Sequence, residues 1–232
     1  MNKLNVGIVL DLKEIDGTFK YVINTNYISS IINGKPKDLD LRIIKITYED
    51  NPSLLDLDGV VLIGGGKYSK DVKEKPSLYE ANPKRYNFEK NIIKHCFDKK
   101  IPLLGICRGF QMINETFDGS VDYINKKTDI NHASRKAKHE VKILDGTTLK
   151  KIYGKSKLNV NSFHLKEITR VSNKFKVSGI SQDGIIEAIE SNFSPFFLGV
   201  QWHPNALKNK DSDSLFDYFL NYCSKNKKRI QS

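Results

Sequence analysis

IPLLGICRGFQMIN, residues 101–114, decides how the chain is read. Pro102 precedes a short apolar run, LLGIC, that suits a buried strand, and RGFQMINETF follows at once with helical spacing. Gly105 and Gly109 bracket the junction, where missing side chains let strand and helix crowd together. G-I-C-R-G therefore has the form of a nucleophile elbow, a sharp strand-to-helix turn. Such a turn lifts Cys107 to the carboxyl edge of a sheet, where open α/β folds bind ligands. It also sets the sulfur at a helix N-terminus, where unpaired N–H groups and the macrodipole favour a thiolate. The Arg108 amide points the same way and could hold an oxyanion.

Outward from this stretch, strands and helices alternate. LNVGIVL (4–10) reads as a buried strand, and YVINTNYISSIIN (21–33) as a helix stopped by Gly34. LRIIKITY (41–48) and GVVLIGG (59–65) are strands, the second ending in a glycine loop. RYNFEKNIIKHCFDK (85–99) is an amphipathic helix with Phe88, Ile92, Ile93, Cys96 and Phe97 inward. This alternation predicts a parallel sheet with right-handed crossovers. The second half differs: HEVKIL (139–144), KLNVNSF (157–163), KFKVSGIS (174–181), GIIEAIE (184–190) and FFLGVQW (196–202) are strands with short links, which predicts antiparallel additions. DSLFDYFLNYCSK (213–225) closes the pattern as a helix. One domain over residues 1–232 is the simplest account of this length.

Composition narrows the function classes. No apolar run approaches the ~20 residues that span a bilayer. The first strand begins without a leader-like apolar region, so a cytoplasmic protein is expected. The three cysteines, Cys96, Cys107 and Cys223, are odd in number and form no CxxC, which argues against a disulfide framework or a thiolate zinc site. The formal net charge is +11. Lysine carries most of it and is spread along the chain, without a basic helix interleaved with aromatics. This is the pattern of a solvated surface rather than a nucleic-acid interface. The densest cluster, Lys225, Lys227, Lys228 and Arg229, is expected at a frayed C-terminus. The positive field could attract an anionic substrate.

A lone cysteine in an apolar run is more often a core residue, and Cys96 and Cys223 read that way. Cys107 differs in its company, because a thiolate needs a base and the base needs an orienting group. GVQWHPN (199–205) supplies His203 just after a buried strand, with Pro204 forcing a turn. If that strand is parallel to LLGIC, His203 emerges at the same sheet edge as Cys107. Asn205 follows two residues later. Gln111 falls one helical turn after Cys107, on the same face. Ser162 and His164 follow a strand and could be ordinary loop residues. His132 and His139 flank a lysine-rich loop and read as structural or surface groups.

Taken together and in order, VLIGGG, IPLLGICRGFQMIN, VNSFH and GVQWHPN resemble the class I glutamine amidotransferase-like superfamily, and within it the γ-glutamyl hydrolase branch. The opening strand and helix resemble that branch too. The resemblance implies a flavodoxin-like three-layer sandwich with a mostly parallel central sheet. It also implies a Cys-His-Glu triad: Cys107 as nucleophile and His203 as general base, later acid. Gly64 and Gly65 would form the oxyanion loop, with the Gly65 amide acting beside that of Arg108. Gly64, Gln111, Ser162, Phe163 and His164 match positions that lie against the γ-glutamyl group. The implied reaction cleaves a γ-glutamyl amide through a γ-glutamyl thioester, with no metal or organic cofactor.

Two departures from the family stand out. Asn205 replaces the family glutamate; an amide oxygen can orient an imidazole but lends it less charge, as in papain-type proteases. Glu187, on a neighbouring strand, is a candidate substitute acid. Lys67 stands in the glycine loop where relatives commonly carry an acidic residue. The leading expectation is a free hydrolase of a small γ-glutamyl amine or peptide, for which the positive field admits an anionic substrate, with neither a nucleic-acid nor a membrane partner. The alternatives are a glutaminase subunit serving a separate synthase and a degenerate binding module. The sequence leaves the oligomeric state open.

Overall fold

The computed structural model describes residues 3–65, 75–134, 136–192, 196–207 and 209–231, the last three of these without their side chains. The chain opens with β1 (Leu4–Val9), which is buried throughout. A hairpin of β2 (Asp11–Ile15) and β3 (Thr18–Val22) comes next, then α1 (Thr25–Asn33), β4 (Leu41–Ile46) and β5 (Gly59–Leu62). Then come α2 (Leu78–Ala81), α3 (Pro83–Asp98), β6 (Leu103–Ile106) and α4 (Arg108–Thr116). The second half runs β7 (Ser120–Tyr123), β8 (Lys138–Ile143), α5 (Thr148–Tyr153), β9 (Lys157–Asn161), β10 (Lys166–Arg170) and β11 (Phe175–Ser181). β12 (Ile186–Ser191), β13 (Phe197–Val200), α6 (Pro204–Leu207) and α7 (Lys210–Gln231) complete it.

Among the described residues the main sheet has nine strands in the order β4-β1-β5-β6-β13-β12-β11-β8-β9. The first five are parallel, and β12, β11, β8 and β9 add antiparallel. Strand alternation splits the core between the two faces of the sheet. Val61 and Ile63 pack on one face with Ile31, Leu215, Phe216 and Phe219 of α1 and α7. Val60 and Leu62 pack on the other with Phe88, Ile92, Phe110 and Met112 of α3 and α4. The result is the expected three-layer α/β/α arrangement. Each such buried side chain stabilises by about 1.5–3 kcal/mol.

The expected helix over 21–33 is shorter than the pattern suggested. It starts at Thr25 with Asn24 as its cap, because residues 18–22 pair with 11–15 instead. Asp16 and Gly17 both have positive φ, 52° and 72°, the backbone of a two-residue hairpin turn that Asp-Gly favours. A second small sheet, β7 with β10, also lay outside the sequence pattern. The basic segment near the C-terminus is not frayed: Lys225, Lys227 and Lys228 belong to α7. Lys227 Nζ bonds Asp58 Oδ2 at 2.8 Å and donates to the Lys3 carbonyl at 3.0 Å, tying α7 to the start of the chain. Among the described residues no helix is long and apolar enough to cross a membrane.

Candidate active site

Strand pairing places the two candidate groups. β6 and β13 are parallel neighbours, with Val200 opposite Ile106. The Cys107 amide donates to the Val200 carbonyl at 2.8 Å, so the cysteine leaves the sheet where β13 ends. Three residues beyond Val200, the His203 amide donates to Asn161 Oδ1 at 2.8 Å, and Asn161 Nδ2 returns a bond to the His203 carbonyl at 2.9 Å. This two-way clasp from the end of β9 fixes the backbone that carries the imidazole.

Cys107 has φ 53° and ψ −102° and immediately precedes α4. A non-glycine residue held there costs on the order of 1–3 kcal/mol, and such strain concentrates at functional sites. The glycines make the bend feasible. A Cβ on Gly109 would lie 2.5 Å from the Leu62 carbonyl oxygen, and one on Gly105 would lie 2.7 Å from the Gly109 backbone. Helix α4 therefore rests directly on β5 and β6. Arg108 is its first residue, so the Arg108 amide lacks an acceptor within the helix.

Gly64 is where the groups meet. A Cβ there would be 2.8 Å from His203 Cε1, 3.1 Å from the Tyr27 hydroxyl and 3.3 Å from Cys107 Cβ. The Gly64 amide is already committed, donating to Tyr27 Oη at 3.0 Å. Gly65 has φ 128°, a conformation that glycine alone adopts readily. The loop is held from behind by Arg85, whose Nη2 donates to the carbonyls of Ile63 (3.0 Å) and Gly64 (3.3 Å). Arg85 is itself buried and paired with Asp11 and Glu89, both at 2.7 Å. Gly66 and Lys67 lie outside the described residues.

A cleft of about 310 Å³ opens over this point, lined by Gly64, Gly65, Ser162, Phe163, His203 and Asn205 among others, with Asp11 and Lys13 also on its wall. Cys107 itself has no exposed surface; its sulfur lies beneath the cleft, 3.9 Å from the Phe163 carbonyl oxygen. Burial alone would push the His203 pKa down. The charge and contact of the Cys107 sulfur, helped by the Phe163 backbone, outweigh burial and raise it. The pair thus suits a thiolate beside an imidazolium. Cys96 and Cys223 are buried free thiols, and burial pushes both pKa values up, as core cysteines require.

The role expected of Arg108 belongs to its amide; its guanidinium pairs with Glu89 at 3.0 Å and donates to the Leu78 carbonyl. Gln111 does follow Cys107 by one turn, its amide N–H reaching the Cys107 carbonyl at 3.2 Å. Its side chain, however, donates to Gln201 Oε1 at 2.9 Å and to the Lys166 carbonyl at 3.4 Å, and it is not on the cleft wall. Asn205 is buried beside the cleft, and its Oδ1 makes no hydrogen bond among the described residues. After the Cys107 sulfur, it is the Phe163 backbone that favours the charged His203 ring.

Glu187 is not the substitute acid for His203. Its carboxylate faces three other histidines: His139 Nε2 at 3.3 Å, His164 Nε2 at 3.4 Å and His132 Nδ1 at 3.8 Å. Burial would raise the Glu187 pKa, but close contact with His139 and His164 brings it down to about 2. His132 and His139 are accordingly buried groups and not surface ones. Sequence reasoning missed this cluster because its members come from four separated segments.

The residues around this site match a known pattern along most of the chain. The peptidase C26 family description matches residues 6–205. The chain belongs to the peptidase C26 family. Its relatives include the γ-glutamyl-γ-aminobutyrate hydrolase of Escherichia coli K12, 28% identical over 251 residues, covering 96% of this chain and 94% of the relative. A Rickettsia prowazekii protein provisionally named glutamine amidotransferase-like is 30% identical over 247 residues, covering 83% of this chain and 85% of the relative. A glutamine amidotransferase structure from Thermotoga maritima superimposes with a TM-score of 0.61 at 16% identity, over all of this chain and 87% of the other. That likeness supports the fold. As a C26 member the chain is an amidohydrolase of the glutamine amidotransferase-like class.

Proposed function

We propose that this C26 protein hydrolyses a γ-glutamyl amide through a γ-glutamyl thioester on Cys107. The observation that carries the reading is the meeting of Cys107 and His203 at the ends of adjacent parallel strands, under a cleft of substrate size. The thiolate of Cys107 adds to the γ-carbonyl carbon. The resulting oxyanion is held by the amides of Gly65 and Arg108. His203, protonated in the resting pair, gives its proton to the departing amine as the C–N bond breaks. It then takes a proton from water, which cleaves the thioester and frees glutamate.

Asp11 and Lys13 place one carboxylate and one ammonium on the cleft wall. Asp11 is already paired with Arg85 at 2.7 Å and lies 3.9 Å from Lys13, so the exposed Lys13 ammonium is the charge left to meet a glutamyl carboxylate. Ser162 and Phe163 also line the cleft. The relative named as a γ-glutamyl-γ-aminobutyrate hydrolase aligns over nearly the whole chain, which favours a free hydrolase.

Incubation with γ-glutamyl-p-nitroanilide and with γ-glutamyl-γ-aminobutyrate tests this directly. The expected result is amine release together with a γ-glutamyl adduct on Cys107, seen by intact-protein mass spectrometry. Equal inactivity of the wild type and Cys107→Ala on both compounds would remove the proposal. Glutamine turnover seen only with a synthase partner would replace it with the amidotransferase reading.

A further inference from the structure

Behind the Cys107–His203 pair, on the antiparallel side of the sheet, His132, His164 and Glu187 form a buried group whose ligand atoms all lie within 4.8 Å of one another. We propose that this group binds a divalent transition-metal ion of the zinc class. The inference does not depend on the hydrolase reading, and the sequence alone gave no reason to expect a metal here.

Hydrogen bonding on the far sides of the rings sets the tautomers. His132 Nε2 is 3.0 Å from Asp183 Oδ2, so its N–H points at that carboxylate. His164 Nδ1 is 2.9 Å from the Lys166 carbonyl oxygen, so its N–H points there. In neutral rings this leaves His132 Nδ1 and His164 Nε2 as lone pairs, yet they face each other at 3.1 Å. The Ser162 hydroxyl also lies 3.0 Å from His132 Nδ1. Two facing ring nitrogens at that distance share either a proton or a metal ion. A histidine whose outer nitrogen donates to a carboxylate or carbonyl is also the usual form of a metal ligand. Asp183 is in turn held by Thr128 and Ser181.

The third ligand is the Glu187 carboxylate. It is fully buried, its ion pairs among the described residues are all to histidines, and neither oxygen makes a hydrogen bond of good geometry. A buried carboxylate left in this condition is costly unless a cation compensates it. The three ligand atoms are separated by 3.1, 3.4 and 3.8 Å. Tetrahedral bonds of about 2.0–2.1 Å place neighbouring ligands about 3.3 Å apart. His139 supplies a further buried nitrogen, 3.3 Å from the same Glu187 oxygen and likewise without a hydrogen bond among the described residues. Two or three imidazoles with one carboxylate is a zinc-type donor set. The metal would replace the shared proton that otherwise neutralises the group. It would also tie residue 132, the 162–164 segment, whose Ser162 and Phe163 line the cleft, and β12 into one unit.

The test is cobalt(II) titration of the chelator-treated full chain. One equivalent is expected to bind with visible d–d bands of tetrahedral intensity, without a sulfur-to-metal charge-transfer band, and with a rise in Tm. Cys107→Ala should bind equally well. Asp183→Asn, which weakens the acceptor behind His132 without removing a proposed ligand, should weaken binding about 10- to 100-fold. Absence of binding to the folded chain overturns the proposal. A sulfur charge-transfer band that disappears in Cys107→Ala also overturns it, since the metal would then sit on the Cys107–His203 pair.

Discussion

The Val200 carbonyl accepts the Cys107 amide at 2.8 Å, directly beyond the register pair Val200–Ile106. This single bond ties the end of β13 to the elbow after β6. It explains how residues nearly a hundred positions apart in sequence share one sheet edge. Displacing either strand end would separate sulfur from imidazole, and the first predictions follow from that closeness.

Cys107→Ala should lower kcat on a γ-glutamyl amide by roughly 10³-fold or more, since the covalent step is lost. Steady-state amine release measures this, with Tm as the control for folding.

Gly64→Ala should act on rate more than on stability. The added carbon comes within 2.8 Å of His203 Cε1 and 3.3 Å of Cys107 Cβ, and a displacement of this kind costs about 10²-fold in kcat. Gly109→Ala should do the reverse. Its Cβ meets the Leu62 backbone at 2.5 Å, and the rigid clash should cost on the order of 1–3 kcal/mol in denaturant unfolding.

Arg85→Met leaves the buried carboxylates Asp11 and Glu89 short of a partner and frees the Ile63 and Gly64 carbonyls. Breaking one side of a buried network costs about 3–5 kcal/mol. Urea unfolding should show the loss; an unchanged midpoint would mean that the network contributes nothing.

The pH dependence has a definite sign. His203 is raised although burial opposes it, because the Cys107 sulfur favours the charged ring. The imidazolium therefore persists above the ordinary value of about 6.5, and the alkaline limb of kcat/KM should lie above that pH. In Cys107→Ala only burial and weaker influences remain, so the His203 pKa, followed by imidazole NMR, should fall.

Asn205→Ala should reduce kcat less than tenfold, since the Asn205 oxygen makes no hydrogen bond among the described residues. An Asn205→Ala loss as large as that of Cys107→Ala would show that the amide orients the ring during turnover.

The elbow was legible in the sequence because its cause is local. Glycines on either side of Cys107 and a helix starting at Arg108 permit few other backbones. The Asp16-Gly17 hairpin carried an equally local signal, but it was absorbed into a helical pattern that starts only at Thr25. Gln111 shows where periodicity stops helping. It falls on the predicted face, yet Gln201, a residue ninety positions away, takes its side chain.

The sequence by itself determined the alternating strands and helices, the bend at Cys107 and the placing of His203 just past a buried strand. These follow from hydrophobic period and glycine placement over a few neighbouring residues. The tertiary structure alone decided which polar side chains meet. Glu187 joins His132, His139 and His164 rather than His203, because β12 pairs antiparallel to β13 and lies in the same sheet as β8 and β9. Strand order and register set those contacts, and both result from long-range packing of the core that no local window of residues encodes.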